Sequence, residues 1–245
     1  MGGICGTGWI QDHGRKDPSK TTCLAFVTGL ALSLPCSAGL ESITNQDAVA
    51  GLREALVKGT QYAVDSLGKQ DGFFGNGKVK IPLPESAHKI EKVLRQFGMG
   101  KQADELILTM NRAAEAAVPE AKTLLVDAVR KMNVQDAKAI LTGGQDSATQ
   151  FFKRSTSDQL RMKFLPIVKR ATAKVQLAHK YDEYAGKAAQ FGLVKKEDAN
   201  LDNYVTQKAL DGLFIMVAEQ EAKIRQNPAQ AATGILQKVF GALKH

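Results

Sequence analysis

Residues 140–152 read ILTGGQDSATQFF: two glycines followed by an acid, two hydroxyls and a pair of phenylalanines. The stretch is either a loop that grips a ligand or a hinge between two helices, and the choice decides the fold. A phosphate loop needs GxxxxGK[ST], and no lysine follows these glycines at that spacing. The hinge reading accounts for each residue in turn. Gly143 stands where a left-handed C-cap of the preceding helix is expected. Asp146 suits the N-cap of the next helix, and it would compete with any anion drawn to that helix's free amides. Phe151 and Phe152 then fall within the second helix, at least one of them facing the core.

Outward from this hinge, apolar residues recur at three- and four-residue steps almost everywhere after residue 45. Asn45 opens a helix carrying Val49, Leu52, Leu56, Ala63 and Leu67, closed near Gly68. Ser86 opens another with Ile90, Val93, Leu94 and Phe97, stopped by Gly98. A third starts at Gly100. Pro119, suited to a first helical turn, begins a fourth with Leu124, Leu125, Ala128, Val129 and Met132 inward. Asn133 caps the short helix that enters the hinge. Beyond the hinge, Thr156 or Ser157 starts a long amphipathic helix with Leu160, Phe164, Ile167 and Val168, in which Pro166 predicts a kink. A segment near 181–191 follows. Asp202 leads into the helix over 203–226, with Leu210, Leu213, Phe214 and Val217 inward, and Asn227–Pro228 breaks it before a last helix. No repeat of fixed period appears. The expected fold class is all-α, one bundle of about eight to ten helices.

Residues 68–85, GKQDGFFGNGKVKIPLPE, depart from this pattern, because their glycines and prolines exclude helix. So long an irregular loop is uncommon in a compact domain. It is either a functional loop, able to cover a ligand, or a strap across the bundle with Phe73, Phe74 and Ile81 set into grooves; we expect the strap.

The N-terminal 38 residues have the layout of a secretory leader. A basic and polar segment at 15–20 precedes an apolar run of 14 residues, TTCLAFVTGLALSL, and then PCSAG. The run is shorter than a membrane-spanning helix requires, and Pro35 ends it. Cleavage after Ala38 would leave a helical domain over 39–245 in the periplasm; the alternative is a membrane anchor through an uncleaved leader. A lipoprotein cut before Cys36 is disfavoured by Pro35, and N-myristoylation by Gly6 at the position that wants a hydroxyl. All three cysteines, Cys5, Cys23 and Cys36, precede the cut, so the mature chain would hold no disulfide, thiolate metal site or cysteine nucleophile. The formal charge of +8 falls by one on cleavage and favours anionic partners in general. The basic residues are scattered among acids and lack interleaved aromatics, which argues against nucleic acid and against a lipid-binding face.

Candidate sites are few. Asn111, Arg112 and Glu115 form a polar set among alanines, either a structural ion pair or the lining of a pocket in which Glu115 orients Arg112. Asp146 and Thr149 come second. Asp198, Asn200 and Asp202 alternate as in a calcium loop, but Asn203 stands where glycine belongs and Ala209 where a bidentate glutamate is required. His88, His179 and His245 show no metal-ligand spacing, so neither metal nor cofactor is expected. A carboxylate hydrolase could draw on Glu115, Asp127, Asp136, Asp211 or Glu219, whose separations sequence does not give. The Glu221–Arg225 pair at i,i+4 is modest if exposed, about 0.3–0.5 kcal/mol.

Four stretches carry a resemblance: NRAAEAAVPEAKTLLVDAV at 111–129, DAKAILTGGQDSATQFF at 136–152, FLPIVKRA at 164–171, and YVTQKALDGLFIMVAEQEAKIRQNPAQAATGILQKVFG at 204–241. Together they resemble a bacterial exported family known as domain of unknown function forty-one ninety-seven. The resemblance implies an exported, predominantly helical protein and supplies no catalytic residues. The functional expectation is a binding protein whose partner is an envelope protein or a small anionic or amphipathic ligand. Carboxylate hydrolysis and peripheral attachment to anionic lipid are the alternatives, and no stable membrane insertion is expected after cleavage.

Overall fold

The computed structural model describes residues 45–227 apart from 86, 88–90, 92–94, 97, 99, 176–177, 183–184, 186–189 and 191–198. The leader, most of the helix expected from Ser86 including its inward Ile90, Val93, Leu94 and Phe97, much of the 181–191 segment, Asp198 and the last expected helix lie outside the described residues.

Among the described residues the ordered elements are helical. They are α1 (Asn45–Leu67), α2 (Gly100–Ala117), a 3-10 turn (Val118–Glu120), α3 (Ala121–Lys131), α4 (Val134–Thr142), α5 (Ser147–Thr172) and α6 (Leu201–Gln226). These six α-helices do not match the expected eight to ten; the all-α class itself holds. α5 and α6 pack against each other, α2 lies against both, α1 joins α6 to α3, and α4 bridges α1 and α5. The expected stripes face inward: Val49, Leu52, Leu56, Ala63 and Leu67 of α1, Leu160, Phe164 and Val168 of α5, and Leu210, Leu213, Phe214 and Val217 of α6 are all buried.

The helix ends correct several expectations. Asn133 does cap α4, in a reciprocal box with Asp136: its side chain accepts from the Asp136 amide at 2.8 Å while the Asp136 carboxylate accepts from the Asn133 amide at 3.0 Å. Pro119 does not begin a helix: it is the middle residue of the 3-10 turn Val118–Glu120, and α3 begins at Ala121. Gly143 is extended (φ −81°, ψ −177°), not left-handed. A Cβ there would meet the Ala139 carbonyl oxygen at 2.6 Å and Ser147 Cβ at 2.8 Å, so close packing of the hinge explains the glycine. The helix expected to begin at Thr156 or Ser157 instead starts at Ser147 and runs unbroken past Pro166 to Thr172. Asn200, not Asp202, caps α6, accepting from the Asn203 amide at 2.9 Å. Asp202 accepts a hydrogen bond from the Thr172 hydroxyl of α5 at 2.5 Å.

The strap is as expected, and its fixings are specific. Phe73 and Ile81 are buried at 0% and 1% exposure, with Val79 and Leu83 beside them, and Phe74 is half-buried. Phe73 fits against α6 because residue 212 has no side chain: a Cβ on Gly212 would lie 2.6 Å from Phe73 Cε1 and 3.3 Å from Val79 Cβ. Alanine normally improves a helix interior over glycine by up to about 1 kcal/mol. Here overpacking, typically about 1–3 kcal/mol, opposes and exceeds that gain. Gly212→Ala is therefore expected to lower the urea midpoint, and Phe73→Leu in the same chain to restore part of the loss.

Candidate functional site

The polar set on α2 is built around the strap. Asn111 and Glu115 are four residues apart on the flank of the apolar stripe Leu106, Met110, Ala113 and Ala117, and this spacing aims both at the same strip of backbone. Asn111, at 0% exposure, is fully used: Oδ1 accepts from the Ile81 amide at 2.8 Å, and Nδ2 donates to the Ile81 carbonyl at 2.9 Å and the Ile107 carbonyl at 2.8 Å. The side chain pairs with Ile81 as a neighbouring strand would. Glu115 Oε1 accepts from the amides of Phe73 at 3.0 Å and Phe74 at 3.1 Å, while Oε2 accepts from Arg112 Nη1 at 2.6 Å. Arg112 Nη2 reaches Asp71 Oδ1 at 2.8 Å. Asp71 has a left-handed backbone (φ 63°), which turns its carboxylate back toward α2. Hydrogen bonds to Glu115 and then to Asp71 raise the Arg112 pKa above its ordinary value. Above the cluster, Lys80 and Arg112 stand 4.2 and 5.8 Å from the Phe74 ring centroid. Asn111 and Glu115 thus serve the strap's backbone, and Arg112 joins its turn to α2.

Asp146 and Thr149 belong to a second constellation at the start of α5, and no hydrogen bond among the described residues joins the two sets. Asp146 occupies the N-cap position but makes no capping bond; it accepts from Gln150 Nε2 at 2.9 Å. The cap comes from α6. Glu221 Oε1 accepts from the Ala148 amide, and Oε2 from the Thr149 amide and hydroxyl, all at 2.9 Å. Arg225 Nη2 binds Glu221 at 2.9 Å, the Ile140 carbonyl at 2.8 Å and the Ser147 hydroxyl at 2.7 Å. The side chains of Glu221 and Arg225 are 5% and 18% exposed, so the pair is a buried clamp and not the surface pair that its spacing first suggests. One acid caps α5 while its arginine takes the Ile140 carbonyl in the last turn of α4.

Outside this clamp, α4 and α5 diverge and leave a cleft of about 300 Å³ lined by Asp136, Ile140, Asp146, Gln150, Phe151 and Arg154, among others. Asp146 and Arg154 are exposed and Phe151 half-buried. Arg154 makes no hydrogen bond or ion pair to the described residues. Sequence reading missed it because a basic residue on an amphipathic helix is ordinary. The remaining acids considered for hydrolysis are engaged separately: Asp127 lies 3.6 Å from Arg130, Asp211 accepts from Gln207 at 2.8 Å and Glu219 from Lys78 at 2.5 Å. Among the described residues no group of three or more His, Cys, Asp or Glu side chains is arranged to hold a metal ion. No described helix is long and apolar enough to cross a membrane.

The model of one protein family matches residues 42–241, and its description is a protein of unknown function, DUF4197. No curated protein and no solved structure matches the chain.

Proposed function

We propose that this chain, which belongs to the DUF4197 family, is an exported, periplasmic helical binding protein that holds a small amphipathic ligand in the cleft between α4 and α5. Arg154, without a partner among the described residues, carries this reading. At the edge of a cleft that also offers Asp136, Asp146 and Gln150, it supplies directed donors that no described residue uses. Phe151 and Ile140 add an apolar wall, and a few convergent polar groups beside such a wall are what fixes a ligand's orientation. The α2 set is a weaker candidate, since the hydrogen bonds of Asn111 and Glu115 are spent on the strap. Binding is favoured over hydrolysis because Asp127, Asp211 and Glu219 are each engaged with a neighbour away from the cleft. In the cleft, Asp136 is held in the Asn133 capping box and Asp146 accepts from Gln150.

Native mass spectrometry of the protein purified from its own envelope tests the reading. A co-purifying small molecule should be retained by Arg112→Ala and weakened roughly tenfold or more by Arg154→Ala, the usual scale for losing a hydrogen bond to a charged group. A bare polypeptide mass, or a ligand indifferent to Arg154, would overturn it.

A further inference from the structure

Of the seven charged residues on α5, six are basic: Lys153, Arg154, Arg161, Lys163, Lys169 and Arg170, against Asp158. Every one of the six is exposed. The helix alone therefore contributes +5 to a formal charge of +8. The other long helices α1, α2 and α6 each carry one more acid than base. The sequence looks evenly mixed only because these helices alternate along the chain; in the fold the positive charge gathers on one of them.

The arrangement on α5 is ordered as well as concentrated. At about 100° per residue, Arg154 and Arg161 fall on one margin of the outward face and Lys163 and Arg170 on the other. The ridge between them carries Met162, Pro166 and Lys169, together with Asp158, the helix's one acid, which lies nearer the Arg154 margin and leaves the face strongly positive. Contacts agree: Arg161 donates to Gln207 of α6 on one side, and Lys163 stands 3.9 Å from Glu120 on the other. That distant contact is the one carboxylate within ion-pair reach of the six among the described residues. Arg154, Lys169 and Arg170 make no hydrogen bond or ion pair to the described residues. Met162, on the crest, is 69% exposed, the highest of the exposed large apolar side chains among the described residues.

We propose that the outward face of α5 docks on a membrane surface rich in anionic phospholipid. The helix, roughly 39 Å long at 1.5 Å per residue, lies along the headgroups while Met162 enters the interface between its two basic margins. A planar anionic surface meets both margins at once, and an apolar residue on the crest fits an interface better than a hydrated polyanion. The ridge carries no aromatic side chain on which the bases of a nucleic acid could stack. Arg154 borders both this face and the cleft, so the variants below leave it unchanged.

Vesicle flotation of the full chain, with phosphatidylglycerol-rich against pure phosphatidylcholine vesicles, tests it. The wild type should float with the anionic vesicles at about 50 mM salt and lose most binding at about 500 mM, where the screening length falls to a few ångströms. Lys163→Glu/Lys169→Glu/Arg170→Glu should weaken binding by on the order of 100-fold or more, and Met162→Ser should weaken it without changing the salt response. A control, Lys58→Glu/Lys101→Glu/Lys122→Glu, makes the same charge change on other helices and should bind like the wild type. The N-terminal apolar run is common to all these chains, so it cannot produce the difference. No flotation, equal loss in the control, salt-independent flotation, or tighter binding to an oligonucleotide than to vesicles would each overturn the proposal.

Discussion

Glu221→Ala is expected to destabilise the protein by about 3–5 kcal/mol, the scale for breaking a buried, hydrogen-bonded ion pair from one side. Three donors at the start of α5, the Ala148 and Thr149 amides and the Thr149 hydroxyl, lose their acceptor together. Arg225 would be left 18% exposed with its charge unmatched. Arg225→Ala should cost clearly less, because Glu221 keeps all three of those donors. The double variant should lose less than the sum of the two, since removing both partners abolishes the unmatched charge. Urea titrations of the four chains measure this coupling. Losses that simply add would show that the two side chains act separately.

Glu115→Ala comes second, at about 2–4 kcal/mol, because a carboxylate 5% exposed accepts from two strap amides and one arginine. The damage should be local before it is global. Hydrogen exchange at the Phe73 and Phe74 amides should accelerate well beyond exchange in α5, and a protease should cut between residues 69 and 78 before it cuts a helix. Arg112→Ala should do far less, since Glu115 retains both amide donors and Arg112 stands at the surface. If Arg112→Ala loosened the strap as much as Glu115→Ala, the strap would be held chiefly by the ion pair with Asp71.

The helices were legible in the sequence because their inner faces repeat apolar residues at the period of the helix, and the strap because glycine and proline interrupt that period. Helix starts were less legible. Asp146 carries a good capping side chain, yet Glu221, more than seventy residues later, takes the amides. A carboxylate brought in by tertiary packing can displace a local cap, and nothing near Asp146 in the sequence announces this. One signal was present, however. Glu221 continues the buried series Leu210, Leu213, Phe214 and Val217 at the same three- and four-residue steps. A charge on an apolar stripe must find a partner inside. The same argument singles out Asn111 and Glu115, but it shows only that their hydrogen bonds are satisfied; that the strap satisfies them is a fact of topology. The basic face of α5 stayed hidden for a related reason, because charges interleaved along a chain can still be sorted onto separate helices.

The strap also bears on how the chain is made. Its wall on α6 lies far downstream: Asn76 meets Met216, Lys78 meets Glu219 and Pro82 meets Tyr204, at separations of 140, 141 and 122 residues. A ribosome adding about 5–20 residues per second emits the strap roughly six to thirty seconds before that wall exists. For that interval Phe73 and Ile81 belong to a nascent chain without a home, and they are natural handholds for a chaperone. Closure of the bundle is then timed by the emergence of its last described helix, which makes this helical protein a slower folder than its helix content alone would suggest.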